Sequence, residues 1–413
     1  MIDANTRNLA ALVLSRCDRL GQISEEPGRI TRPFLCPSAR AAHDEIRRWM
    51  REAGMSVRID ALGNIIGHLP GTVDGAPVFL VGSHLDTVPD AGRYDGILGV
   101  LLGIAAVAGL GGRRLPFAVE VIGFSEEEGV RFRTSYLGSK AVCGRFDSRW
   151  LTKVDGAGVS MATALRDFGL DPAMIGTAAY RPGHVMGYLE THIEQGPVLE
   201  ALDRPLGVVE AIVGQSRLWL TFVGRAGHAG TQPMELRRDA LAAAAEFVVA
   251  VEQRAQETAG LRATVGVIAV APGAVNVVPG NARLSLDVRH ADDVVREAAV
   301  AGLIAAADAI GGRRQVKVSV ERAEEHVATP TDPRLTALLA GAAESLGYEP
   351  LRMASGAGHD AAVLASLAPM TMLFLRSPGG VSHHPDEAVL PEDVAAALGV
   401  MSAFLLRLAG DPT

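Results

Sequence analysis

The sequence predicts an α/β fold interrupted by a smaller, ferredoxin-like β-α-β-β-α-β module, and three observations carry that reading. Short apolar runs at 78–81, 117–124 and 370–375 each lead into a polar cluster with small residues, which suits strands buried on both faces. The first run is followed by a helix-like stretch at 96–110, giving strand, polar cluster, helix, and such sheets bind ligands beyond the carboxyl ends of their strands. Between about 215 and 322 the rhythm changes, and a helix–strand pattern resumes at Asp332.

The elements follow in order. Residues 41–50 have helical periodicity, and 56–66 read as a strand with a turn at Gly63-Asn64. The apolar run 97–110 is too short to span a bilayer and predicts a buried helix. In the central stretch, 217–223 alternates as a strand and 233–256 predicts a long helix opening on Pro233. Two strands at 263–271 and 282–289, a helix at 292–310 and a strand at 315–321 complete the split motif. The expected division is 1–213, an insert at 214–326, and 327–413, with the outer segments forming one domain.

Composition narrows the class. The chain of 413 residues carries 39 basic and 47 acidic side chains, a net charge of −8, which excludes the basic stripe of a nucleic-acid binder. Hydrophobic content of 48% with 21% charge argues against disorder. Asp3 and the brief apolar run 9–14 do not make a signal peptide, and no membrane partner is expected. Cys17, Cys36 and Cys143 form no CxxC pair, which points to a reducing compartment, the cytoplasm by default.

The chemistry-bearing residues cluster at the predicted strand ends. Gly82-Ser83-His84-Leu85-Asp86 places a histidine and an aspartate two apart, on one side of a strand, with Asp95 before the next helix. Asp86 is suited to orient the His84 ring, and Asp95 to bind a metal. Glu126-Glu127-Glu128 ends another strand; alone it reads as a solvated acidic loop, but a divalent cation would offset its repulsion, one carboxylate ligating and another left as a base. His192, His228 and His383 sit in three further strings beside small residues. His84, Asp95, Glu128, His192 and His383 form a nitrogen and oxygen donor set suited to Zn²⁺, Mn²⁺, Co²⁺ or Ni²⁺. Five ligands exceed one tetrahedral zinc, so two ions about 3.5–4 Å apart sharing a carboxylate use them better.

In family order the chain carries GSHLDTV, YDGILGV, EEEGVRF, ETHIEQGPVLE, GHAGTQPM, NVVPG, DVRH, GAGHDA and SHHPDE. These strings resemble the M20 metallopeptidase clan, and within it the hydantoinase/carbamoylase branch of N-carbamoyl-L-amino-acid hydrolases, allantoate amidohydrolases and β-ureidopropionases. The resemblance implies a di-zinc-peptidase-like catalytic domain with the insert as a dimerisation (lid) domain. It implies two divalent ions, with His84 and His192 on different metals, Asp95 bridging, and Glu128 and His383 completing the pair. His383 is taken over His384 because it follows Ser382 in the S-H-x-P pattern. Glu127 would be the general base and Asp86 would orient His84. His228 would donate to the oxyanion from the partner subunit of a homodimer, while Asn276 and Arg289 would hold the substrate carboxylate. Gln195 and Gln215 would bind the ureido group, with Gly358 and His359 lining the pocket. His43, His68, His184, His290 and His326 read as structural or exposed.

The implied activity is hydrolysis of the ureido bond of an N-carbamoyl-L-amino acid. The alternative is allantoate, followed by N-carbamoyl-β-alanine and by aminoacylase or dipeptidase activity. A non-catalytic binding protein of the same fold would have lost a ligand or the base, and here every such position is filled.

Overall fold

The computed structural model describes residues 2–410 and divides the chain into two compact units. One comprises the residues up to Glu210 and those from Thr331 onward; the other is Ala211–Pro330. The strands in chain order are β1 (Ser56–Ile59), β2 (Ile65–Leu69), β3 (Val78–His84), β4 (Ala118–Phe124), β5 (Val185–Ile193), β6 (Leu206–Ile212), β7 (Gly214–Val223), β8 (Gly227–His228), β9 (Arg262–Thr264), β10 (Ile268–Ala271), β11 (Val277–Val278), β12 (Asn281–His290), β13 (Lys317–His326), β14 (Thr329–Pro330), β15 (Leu351–Ser355) and β16 (Met370–Leu375).

The larger sheet runs β1-β2-β4-β3-β5-β16-β6-β14, with β15 beside β6. Its centre, β4-β3-β5-β16, is parallel throughout. Every residue of β3, β4 and β16 is buried, which is why these strands read as largely apolar runs. The Ile97–Gly109 helix is buried along nearly its whole circumference, packed with the Ala4–Gly21 and Pro391–Leu408 helices in one core. Residues 56–66 form a hairpin whose turn is held by Asp60 Oδ1, which accepts from the amides of Leu62 and Asn64 at 2.9 Å each.

In the second unit the sheet order is β10-β12-β7-β13, with β9 also on β12, and all pairs are antiparallel. Leu218, Leu220 and Phe222 alternate inward along β7 and meet Leu284 and Leu286 of β12 in a core closed by the Ala240–Glu257 and Asp293–Arg314 helices. Setting aside the separate two-residue pair β8 and β11, and counting β9 and β10 as one broken strand, the chain order is β-α-β-β-α-β. Among the described residues no helix is long and apolar enough to cross a membrane.

One helix start differs from expectation. The helix placed from Pro233 begins at Ala240; Met234–Leu236 make only a single 3₁₀ turn, and Arg238 bridges Arg225. A proline tolerates a helix start but satisfies no orphan amide, whereas Asp239 does, its Oδ1 accepting from Ala242 N at 3.0 Å. Asp239→Ala should therefore cost about 1 kcal/mol locally. Hydrogen exchange in the first turn of that helix should quicken about fivefold, since 1.4 kcal/mol is a factor of ten. Pro233→Ala should leave those amides unchanged.

Candidate metal centre

The carboxyl ends of β4, β3, β5 and β16 lie side by side, and each delivers a group to one cluster. His84 is the last residue of β3 and His192 the next to last of β5. Glu127 and Glu128 follow β4, His383 follows β16, and Asp95 precedes the Ile97–Gly109 helix. Gly96 explains the glycine after Asp95: its φ is +68°, and a Cβ there would lie 2.4 Å from the His84 ring.

Asp95 is the hub. Its Oδ1 lies 3.4 Å from His84 Nε2 and 3.1 Å from His192 Nε2. Its Oδ2 lies 3.1 Å from His383 Nε2, which is also 3.4 Å from Glu128 Oε1. The far ring nitrogens are committed: His84 Nδ1 meets the main-chain oxygen of Asp86 at 3.0 Å, and His192 Nδ1 that of Ile193 at 2.9 Å. A carbonyl only accepts, so both Nδ1 atoms carry a proton and both Nε2 atoms face Asp95. A neutral imidazole of that tautomer turns a lone pair on a carboxylate, and only a cation between them, a proton or a metal ion, relieves the repulsion.

The electrostatics ask for cations. Burial opposes the charge on His84 and His192, yet the negative carboxylates of Asp86 and Asp95 raise His84, and that of Asp95 raises His192. Asp95, despite its burial, is held well below the usual carboxylate range by the three histidines. Burial pushes Glu127 well up and Glu128 up to about 7. His84–Asp95–His192, His84–Glu127–Glu128 and Asp95–Glu128–His383 each bring three ligand atoms within 4.8 Å of one another. Asp95 enters two of these groups, and no thiolate enters any. This donor set fits two divalent ions sharing a carboxylate.

Two expected arrangements come out differently. His84 and His192, assigned to different metals, converge on the same Asp95 oxygen, because adjacent parallel strands β3 and β5 bring both rings to one side of it. The Asp86 carboxylate stands 3.6 Å from His84 Nδ1, farther than the Asp86 carbonyl. β3 ends at His84, so two-residue alternation no longer governs position 86. The carboxylate instead accepts from the amides of Glu127 at 2.9 Å and Glu128 at 3.0 Å, clamping the acidic turn.

The remaining expected residues divide. Gln195 donates from Nε2 to Asp95 Oδ2 at 3.0 Å and to Ser382 Oγ at 3.1 Å, so its amide steadies the hub. His359 is buried, kept neutral by that burial, bonded to Ser355 Oγ at 2.9 Å and set edge-on to His192 at 4.6 Å. Gly358 allows a close approach, since a Cβ there would fall 2.1 Å from Tyr136 Oη. In the second unit, His228 is exposed and its Nδ1 accepts from Gly230 N at 3.1 Å, leaving the proton on Nε2. Asn276 accepts from Ala229 N through its carbonyl at 2.8 Å. Arg289 and Gln215 are register partners, and both donate to Asp287, at 2.8 and 2.6 Å.

Sequence reasoning missed Glu387. Its Oε1 accepts from the amides of Tyr94 at 2.7 Å and Asp95 at 3.1 Å, and burial pushes its carboxyl up to about 7. The available signal was the final acid of SHHPDE.

The family model described as Peptidase family M20/M25/M40 matches residues 80–407. A probable allantoate deiminase of Oryza sativa subsp. japonica is 42% identical, over 92% of this chain and 85% of its own. The N-carbamoyl-L-amino acid amidohydrolase of Geobacillus stearothermophilus is 39% identical, over 95% of this chain and 97% of its own. The crystal structure of a hydantoinase/carbamoylase family amidase from Burkholderia multivorans superposes with a TM-score of 0.91 at 33% identity, covering 100% of this chain and 99% of that one. With its strand-end cluster and these likenesses over nearly its full length, the chain belongs to peptidase family M20/M25/M40, in the hydantoinase/carbamoylase amidase branch.

Proposed function

We propose that this hydrolase cleaves the ureido C–N bond of an N-carbamoyl-L-amino acid, releasing ammonia, carbon dioxide and the amino acid. The observation that carries the reading is the convergence of three imidazoles and Glu128 around the shared carboxylate of Asp95, with Glu127 alongside. Two divalent ions, Zn²⁺ or Mn²⁺, Co²⁺ or Ni²⁺, held by His84, Asp95 and His192 and by Asp95, Glu128 and His383, would polarise the substrate carbonyl and acidify water. Glu127 takes the proton of the attacking water and hands it to the leaving nitrogen. Its amide is fixed by Asp86, which holds the base in place.

His228 serves the oxyanion. The hydrogen bond that Nδ1 accepts from Gly230 leaves Nε2–H as the donor such a role needs. Arg289, whose planar fork matches a carboxylate, and Asn276 hold the substrate carboxylate. His228 reaches the site from the partner subunit of a homodimer joined through the Ala211–Pro330 units. The three free cysteines suit a cytoplasmic setting.

Allantoate is the second reading, favoured by the 42% identity to the Oryza relative. An ammonia-release panel with added Mn²⁺, Co²⁺, Ni²⁺ or Zn²⁺ should be fastest on an N-carbamoyl-L-amino acid. N-Carbamoyl-β-alanine, N-acyl amino acids and dipeptides should be slow. Faster release from allantoate transfers the assignment to the second reading.

Glu127→Gln should bind both metals normally yet lose on the order of 10²–10⁴ in kcat, the size of general acid–base catalysis, with KM little changed. Full turnover at confirmed metal occupancy removes Glu127 from the mechanism.

Mixing the inactive Glu127→Gln and His228→Ala proteins under subunit exchange should recover up to about a quarter of parental activity, since half the dimers then carry one intact site. No recovery despite verified exchange means that His228 acts within its own chain or not at all.

A further inference from the structure

Arg32 is a fully buried cation that the proposed chemistry does not use. It is tied to the loop after β3: Nε donates to Leu85 O at 3.1 Å, its amide donates to Thr87 Oγ1 at 2.9 Å, and its carbonyl accepts from Thr87 N at 3.1 Å. Nη1 donates to Leu20 O at 3.0 Å and Ile23 O at 2.9 Å, while Nη2 finds no protein partner. A second buried nitrogen without a protein partner, His43 Nδ1, belongs to the Pro37–Glu52 helix. Burial pushes the His43 imidazole down to about 4, so the ring is neutral.

Arg32 and His43 line the same cavity of about 10 Å³, together with Asp86, Ser125 and apolar walls that include Leu35 and Phe168. That volume is close to one water-sized sphere, and a buried water needs two to four polar partners. Arg32 supplies a donor, Asp86 an acceptor, and His43 Nδ1 either role according to its tautomer. An ion is disfavoured on charge, because Arg32 and Asp86 already offset each other. An unmet guanidinium NH₂ group and an unmet imidazole nitrogen lining one cavity would be costly at such burial, and one shared water gives each of them a partner.

We infer that this cavity is a binding site for one water molecule, joining Arg32 Nη2 and His43 Nδ1 to the Asp86 carboxylate. Asp86 clamps the amides of Glu127 and Glu128, so the water ties the Pro37–Glu52 helix to the acidic turn of the metal centre. His43 is thereby a positioning residue that touches neither metal nor substrate.

A crystal structure of the zinc-loaded protein, at a resolution that shows ordered water, tests the site directly. A peak within about 3.2 Å of both Arg32 Nη2 and His43 Nδ1 is expected. A cavity without density there overturns the inference, whatever the variants do. His43→Leu should expel the water and weaken Zn²⁺ binding, measured by competition with a chelator, about 10–100-fold, as losses of outer partners do. His43→Asn, which keeps a hydrogen-bonding atom near the Nδ1 position, should retain the peak and bind zinc near the parental affinity. Folded His43→Leu with parental zinc affinity overturns the positioning role, as does His43→Asn that keeps the water yet binds zinc as weakly as a chain without it.

Discussion

A carboxylate cannot be buried without partners that offset its lost hydration, and the larger unit is arranged around meeting that demand at Asp95. Three imidazoles reach it from three different elements, Gln195 and Ser382 donate to its Oδ2, and Glu387 holds its amide from behind. Each partner then imposes a condition on its own surroundings. His84 must lie over the next backbone, which demands Gly96 at positive φ. His192 must meet the same oxygen as His84, which requires β3 and β5 to be neighbours. The parallel sheet thus serves as a jig that sets strand ends a fixed distance apart.

Much of this could be read in the sequence because burial on both faces leaves a strong signature. β3, β4 and β16 are buried throughout, largely apolar, and stop at polar clusters, so both the strands and the site at their ends were visible. The cluster membership of His84, Asp95, Glu128, His192 and His383 followed from their types and from the family strings. What stayed hidden depends on where a strand stops and which way a side chain turns. Asp86 sits two residues after His84, but the strand ends first, and its carboxylate swings to the acidic turn. Gln195 and Gln215 look like ligand-binding amides, and nothing local in the sequence shows that each donates to a carboxylate of the protein. Arg32 lies far in sequence from the loop it supports, so no local pattern marks it, and Glu387 is marked only as the last acid of SHHPDE. Pro233 gave a false helix start because the sequence signal of a proline outweighs, on inspection, the cap at Asp239 that satisfies the amides.

The second unit owes its legibility to a different rule. Its sheet has one face against helices, so β7 alternates strictly and its inward residues are recognisable in isolation. Its opposite face gathers Gln215, Arg217 and Arg289 around Asp287. Oppositely charged side chains there neutralise one another across strands, a pattern that sequence alternation predicts only as polar.

The position of β16 bears on how the protein is made. This strand, at Met370–Leu375, lies between β5 and β6, which the ribosome completes by Ile212. At ordinary translation speeds of about 5–20 residues per second, the facing edges of β5 and β6 wait on the order of 10–30 s for the strand that separates them. During that interval the Ala211–Pro330 unit, continuous in sequence, has every residue it needs to fold, while its neighbour does not. His383 emerges later still, so a nascent or prematurely terminated chain offers the His84, Asp95 and His192 side chains but not the Asp95, Glu128 and His383 set. The whole cluster around Asp95 can therefore close only after synthesis has passed residue 383.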